Sequence, residues 1–325
     1  MIRFGTLGAA SITPRALVYP CVDEPEAMIY AIAARDRERA VSFAHHHNIP
    51  KVLDSYADLV ACERINAVYN PLHITAHHEW TLRALRAGKH VLCEKSLASN
   101  AGEAQEMAEC ADDTGLLLMD AFHYRYHPIF VRAREIYQSG VLGDIQHIEG
   151  VFHIPVTATS GIRMEYELGG GVTMDIGCYP ISWVRHISGL EPDEVQAVAE
   201  VGPPDVDVML KTTMQFPGGI TVTTSGDMRP EATFQAYLEV RGSDGTMHVE
   251  NPLVPQMGNR IDLTVNGEKT TESFSRRASY SYQLDAFCAA VEHGTELLTD
   301  AWDGVAQMRV IDRAYSAAGL ALRGL

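Results

Sequence analysis

Met1-Ile2-Arg3-Phe4-Gly5-Thr6-Leu7-Gly8-Ala9-Ala10-Ser11-Ile12-Thr13 opens the chain, and the way this run is read decides the fold. Residues 2–7 form a largely apolar run of strand length, and a turn of small residues follows at once. Where a parallel strand passes into a helix over a pyrophosphate, glycines let the backbone approach the phosphates at the helix N-terminus. Gly8 holds the tight-turn position of such a fingerprint, Ala10 stands where its second glycine belongs, and Thr13 where its third small residue belongs. Glycine turns between strand and helix also arise for conformational reasons alone, so this turn by itself leaves both readings open.

The sequence beyond it repeats the rhythm of a wound parallel sheet. Strand-like runs at 28–33, 67–72, 90–93 and 116–120 alternate with helix-period stretches such as 36–47 and 75–87. In the latter, Trp80, Leu82 and Leu85 are expected to face inward, with Gly88 closing the helix in a left-handed cap. Beyond about residue 144 the pattern changes to hairpins. Pro217-Gly218-Gly219 joins 214–216 to 220–222, Gly242-Ser243-Asp244-Gly245 joins 236–240 to 247–249, and Asn266-Gly267 marks a third turn. Helices are expected at 175–186, 281–293 and 303–322. A length of 325 residues suits two domains. The first, 1–122, reads as an α/β Rossmann-type domain with a doubly wound parallel sheet. The second, 123–325, reads as an α+β domain with a large, open, mainly antiparallel sheet.

Composition narrows the class. With 46% hydrophobic and 21% charged residues the chain is neither disordered nor fibrous. Its formal charge of −16 opposes any broad phosphate-backbone footprint, which argues against nucleic acid as a partner. The longest uninterrupted apolar run, 27–34, has eight residues, far short of a membrane span, so no membrane partner is expected. The start of the chain lacks the pattern of a secretory signal, and a cytoplasmic location is the expectation. Six scattered cysteines without a CxxC pair point to reduced thiols and no metal site.

Several residues carry candidate chemistry. The second strand ends at Ala34, where an acidic residue would normally meet a ribose, and Arg35 follows with Arg37 and Arg39 nearby. Guanidinium groups suit a 2′-phosphate, which favours NADP over NAD, although Asp36 could still turn onto a ribose. Glu94-Lys95-Ser96 follows the fourth strand at its carboxyl end, where open parallel sheets place their ligand crevice. Gly169-Gly170-Gly171 reads as a flexible approach to a helix carrying Asp175 and Tyr179 on one face. That pair is either a carboxylate and a phenol converging on a substrate oxygen or a helix cap and a packed ring. His123, Tyr124, Arg125 and Tyr126 form an aromatic, donor-rich cluster suited to a polyhydroxylated ring, or equally to an interdomain seam. His77 either reaches the nicotinamide end of a cofactor or lies on a helix surface, and His45 to His47 read as exposed surface.

Taken together, these pieces resemble the glucose-fructose oxidoreductase and inositol dehydrogenase family (Gfo/Idh/MocA), in its branch of dihydrodiol and xylose dehydrogenases. Cys93-Glu94-Lys95 is similar to the family's Glu-Lys-Pro signature, and Asp175-Ile176-Gly177-Cys178-Tyr179 to its Asp-x-Gly-x-His/Tyr signature in the tyrosine form. The resemblance implies a cofactor site that includes Gly8, Ala10, Ser11, Ile12, Ala34, Arg35, Asn70, Pro71, Leu72, His77, Glu94 and Lys95. It further implies Lys95 and Tyr179 as the catalytic pair, with Asp175 positioning the substrate, and a homodimer or homotetramer. The chain departs from the family in Ser96 for the proline after the lysine, in His73-Ile74-Thr75 for a proline-asparagine segment, and in Asp120 where the branch often has glutamate. The expected activity is NADP-dependent hydride transfer to or from a carbinol carbon of a sugar, cyclitol or dihydrodiol. The rival expectation is a non-catalytic nucleotide or sugar sensor of the same fold.

Overall fold

The computed structural model describes residues 1–158, 160–202 and 205–325. Two compact units emerge, one of Met1–His123 with Tyr280–Val305, the other of Tyr124–Ser279 with Ala306–Leu325. Residues 280–305 thus pack in the first unit, whereas the sequence reading placed all of 123–325 together.

In the first unit, β1 (Ile2–Leu7), α1 (Pro20–Asp23), β2 (Ala27–Ala33), α2 (Arg37–His47), β3 (Lys51–Val52), α3 (Tyr56–Ala61), β4 (Ala67–Asn70), α4 (His77–Arg86), β5 (His90–Cys93), α5 (Ala101–Thr114) and β6 (Leu118–Asp120) alternate. The strands pair in parallel in the order β3-β2-β1-β4-β5-β6, the dinucleotide-binding arrangement in which the order reverses between β1 and β4. Strand β3 was missed because two residues give no readable periodicity. Leu82 and Leu85 of α4 are buried and Gly88 adopts φ +77°, as the sequence suggests. Trp80 is instead only half-buried, its ring edge-on to Tyr56 at 5.1 Å with the Arg83 guanidinium 4.7 Å above it. From the far end of the chain, α8 (Ser279–His293) sets Phe287 5.3 Å from Phe4, so a helix remote in sequence completes the core behind β1.

The second unit contains α6 (Pro128–Gln138), β7 (Ile145–His153), α7 (Cys178–Ser188), β8 (Glu194–Gly202), β9 (Val206–Phe216), β10 (Ile220–Asp227), β11 (Gln235–Gly242), β12 (Gly245–Glu250), β13 (Arg260–Val265) and β14 (Glu268–Glu272). Its eight-stranded sheet runs β14-β13-β12-β11-β7-β10-β9-β8, antiparallel throughout except between β7 and β10. All three hairpin turns read from the sequence are present. The last helix, α9 (Ala301–Ala317), ends five residues short of expectation. The helix expected at 175–186 is not uniform either: Thr173–Gly177 form a π-helical turn, and α7 proper starts at Cys178. Among the described residues no helix is long and apolar enough to cross a membrane.

Glycines set how closely α7 lies on the sheet. A Cβ at Gly150 of β7 would stand 3.1 Å from the Pro180 carbonyl oxygen, and one at Gly226 of β10 would stand 2.9 Å from the Gly177 Cα. Neither neighbour can move without shifting backbone. Gly226→Ala is therefore expected to lower stability by about 1–3 kcal/mol through overpacking, measured as the urea midpoint against the parent chain. An unchanged midpoint would show that the π turn yields freely.

Candidate functional site

The carboxyl ends of the parallel strands gather the candidate residues of the first unit. Gly8, at φ +84°, turns the chain immediately after β1 and donates its N–H to the Ala33 carbonyl at 2.6 Å. A Cβ there would meet the Leu72 side chain at 3.3 Å, so the turn requires glycine on two grounds. Ala10 and Ile12 are half-buried, Ser11 is exposed, and the Thr13 hydroxyl is buried without a partner. At the end of β2, Ala34 is buried and Arg35 exposed. Asp36 does not turn toward a ribose: it caps α2, accepting from the Arg39 N–H at 3.1 Å. Arg37 pairs with Asp54 at 2.8 Å, and Arg39 reaches back to donate to the Ala9 carbonyl at 2.7 Å. Arg35 makes no ion pair among the described residues. A small-residue turn at positive φ, an orphaned threonine hydroxyl beside it and an exposed arginine at the end of β2 together fit a dinucleotide.

Two of the residues implied as cofactor contacts, His77 and Asn70, are hydrogen-bonded within the protein. His77 is 1% exposed, and its ring nitrogens lie 3.0 Å from the Ser96 and Leu72 carbonyl oxygens. Burial pushes its pKa down to about 4, and the neutral ring, with a single N–H, donates to one of these two carbonyls at a time. The Asn70 side chain donates to the His77 carbonyl and the Thr81 hydroxyl, both at 3.2 Å, and so fixes the same corner. Pro71 is buried and Leu72 half-buried in this loop.

The loop after β5 carries Lys95, half-buried, between two acids; its peptide bond to Ser96 is cis. Glu94 accepts from the Tyr69 hydroxyl at 2.7 Å, and its pKa is raised chiefly by burial. Asp120, at the end of β6, is 1% exposed, with neither carboxyl oxygen in a well-made hydrogen bond. Its pKa lies well above the usual carboxylate range, first through burial, then through the charges of Asp303 and Glu94, while Lys95 acts the other way.

In the second unit, Asp175 sits in the π turn and pairs with Arg163 at 2.6 Å (Nε to Oδ2). The carboxylate is 20% exposed and the guanidinium 55%, so the pair stays open to a ligand. Arg163 was missed in the sequence: it lies in a loop without periodicity, and only its closeness to the glycine run could have drawn notice. Those glycines are not flexible. Gly169 and Gly171 adopt φ +80° and +126°, a Cβ at Gly170 would stand 2.7 Å from the Arg163 carbonyl oxygen, and one at Gly171 would overlap the Asp207 carboxylate. Tyr179 opens α7, 6% exposed, its ring 5.9 Å from Phe152 and 6.5 Å from Trp183.

The aromatic cluster divides. Tyr124, expected to touch substrate, is fully buried in the second unit, its hydroxyl 2.7 Å from Ser182 Oγ and 2.8 Å from His186 Nδ1. Its phenol is committed to the core, because a buried hydroxyl must be hydrogen-bonded and these two groups do so. In the first unit His123 stacks on Tyr280 at 3.9 Å. Arg125 is buried and Tyr126 half-buried.

The chain matches known proteins over nearly its whole length. Residues 2–122 match the model of an oxidoreductase family with an NAD-binding Rossmann fold, and residues 130–248 match that of the GFO/IDH/MocA C-terminal domain. The chain is 33% identical to D-xylose 1-dehydrogenase (NADP(+)) 2 of Haloferax volcanii, over 98% of this chain and 97% of that one. It is 31% identical to trans-1,2-dihydrobenzene-1,2-diol dehydrogenase of Xenopus tropicalis, over 82% and 81%. Among solved structures, a 3-ketoreductase from Actinomadura kijaniata in complex with NADP and TDP-benzene superposes with a TM-score of 0.90 at 29% identity, covering 97% of each chain.

The raised pKa of Asp120 fixes a pH dependence. The folded chain holds this proton more tightly than the unfolded chain, so the stabilisation present below about pH 3.9, the unfolded value, is lost as pH rises through the folded value. Asp120→Asn, which cannot ionise, removes that loss. Its stability relative to the parent is expected to be greater at pH 7.5 than at pH 4.5 in urea titrations; the same difference at both would show that Asp120 ionises freely in the fold.

Proposed function

The chain belongs to the GFO/IDH/MocA oxidoreductase family, and from that membership we propose that this NAD(P)-dependent oxidoreductase uses NADP to oxidise or reduce a carbinol or carbonyl carbon of a sugar, cyclitol or dihydrodiol. The observation that carries the reading is the half-buried Lys95 in the loop at the carboxyl end of β5, one strand beyond β4, which with β1 flanks the point where the strand order reverses. The names of the xylose and dihydrodiol dehydrogenases above support the substrate class, and the exposed Arg35 supports NADP.

In this reading Gly8, Ala10, Ser11 and Ile12 receive the pyrophosphate, Arg35 the 2′-phosphate, and Lys95 the nicotinamide side. When bound, the dinucleotide supplies the hydride acceptor or donor. Tyr179 takes the proton from the reacting hydroxyl on oxidation and returns it on reduction. A phenol ordinarily ionises near pH 10, so a cation must favour its phenolate form, and we assign that role to the Lys95 ammonium. Asp175, held by Arg163, accepts a hydrogen bond from a neighbouring hydroxyl and orients the reacting carbon. A cytoplasmic homodimer or homotetramer completes the proposal.

Turnover is read as absorbance of reduced nicotinamide over a panel of aldoses, cyclitols and trans-dihydrodiols with each cofactor. Tyr179→Phe is expected to lower kcat by roughly 10²–10⁴-fold with cofactor affinity nearly intact; undiminished kcat would remove Tyr179 as the proton carrier. Arg35→Ala is expected to raise the KM for NADP about tenfold or more while leaving that for NAD close to the parent value. Equal effects on both would place the 2′-phosphate elsewhere. Ligand-induced stabilisation across the panel with no turnover would favour the sensor.

A further inference from the structure

The second unit contains a buried charged knot that the proposed chemistry does not use. Asp207, fully buried at the start of β9, accepts at Oδ2 from the Thr173 N–H at 2.9 Å and the Thr173 hydroxyl at 2.5 Å. At Oδ1 it accepts from Arg323 Nη2 at 2.7 Å and from the Tyr315 hydroxyl at 3.3 Å. The Arg323 side chain, 3% exposed, has the Tyr166 and Tyr315 rings 4.4 and 4.7 Å from its guanidinium carbon. It donates through Nε to the Gly170 carbonyl at 3.1 Å and through Nη1 to the Ala321 carbonyl at 3.3 Å. The Tyr166 hydroxyl ties down the same segment, donating to the Leu322 carbonyl at 3.0 Å.

The middle glycine links this knot to the candidate site. Gly170 and Gly171 donate their N–H groups to the Glu165 and Arg163 carbonyls, both at 2.9 Å, and the Gly171 carbonyl accepts from the Asp175 N–H at 3.1 Å. One guanidinium therefore holds the turn whose two ends set the Arg163 and Asp175 backbones. Taking two ions out of water is costly, and a well-packed apolar pair often stabilises a fold as well. What the charged pair provides is direction: a rigid guanidinium, held by Asp207 through Nη2, aims its Nε–H at the Gly170 carbonyl and so restricts where that carbonyl sits.

We infer that Arg323, from the segment after α9, is a positioning residue for substrate binding, acting through the Gly169–Gly171 turn to hold the Arg163–Asp175 pair in register. The inference rests on the proposed role of Asp175 at the substrate. Buried knot and open pair divide the labour: the first is closed to solvent, while the second, at 20% and 55% exposure, is the part a ligand reaches.

The test uses the full chain with Arg323→Gln and, because that variant leaves Asp207 buried without its cation and can fail to fold, Tyr166→Phe, which removes a single bond to the Leu322 carbonyl. The first readout is the ¹⁵N-edited resonance of the Arg163 Nε–H, assigned by its loss in Arg163→Lys. A shift or broadening of that signal in whichever variant remains folded is expected, and an unchanged signal in a folded variant overturns the proposal. The second is kinetics with the best substrate of the panel. The KM for that substrate is expected to rise about tenfold, with kcat and the KM for NADP within about threefold, and Arg323→Lys to recover part of the loss. A lowered melting temperature with all three constants unchanged would make the knot a purely stabilising one and refute the positioning role. Asp175→Asn separates the two claims: an unchanged substrate KM in that variant refutes the role of Asp175, while the Arg163 resonance still reports whether Arg323 acts on the turn.

Discussion

A helix buried on every face depends on its surroundings to meet its charged and polar side chains, and α7 is such a helix, with residues 178–187 all buried. The glycines of β7 and β10 let its backbone approach the sheet, and Phe152 and Tyr124 pack against its own Trp183. Several of its polar members are answered, although the buried Trp183 indole N–H has no hydrogen-bond partner among the described residues. Arg185 reaches Glu191 and Gln307, Gln307 in turn donates to the Cys178 carbonyl at 2.9 Å, and His186 meets the Tyr124 hydroxyl. The orientation of Tyr179 follows from this packing, since rotating the helix would bury an unpaired charge.

The first unit solves a different problem. Its parallel strands end in short loops, and the loop bearing Lys95 is braced by side chains that never leave the interior. His77 joins it to the neighbouring loop, and Cys93 is capped by the Thr81 hydroxyl at 3.8 Å. Both acids beside the lysine have their pKa raised first by burial, while the Lys95 charge acts the other way.

Strand and hairpin positions were legible because period and turn chemistry are local, and β5 matched its expected range residue for residue. Legibility ended where meaning depends on what lies across space. Tyr124 read as a ligand because a phenol in an aromatic run looks the same whether its hydroxyl meets a substrate or, as here, Ser182 and His186. His77 read as a cofactor contact because nothing local announces two carbonyls waiting for its ring. The triple glycine read as freedom when it reflects crowding, since absent side chains are consistent with both. Arg163 drew no notice at all, its partner lying twelve positions further on beyond a loop without period.

The chain passes between its two units three times, after His123, after Ser279 and after Val305. Neither unit is therefore a contiguous cassette. A fragment ending near residue 123 would leave out α8 and with it the Phe287 ring against Phe4, opening the hydrophobic core behind β1 to water. Exchange of modules with other proteins, in evolution or by recombinant grafting, requires three junctions to be respected at once, which favours inheritance of the two units as a single indivisible gene.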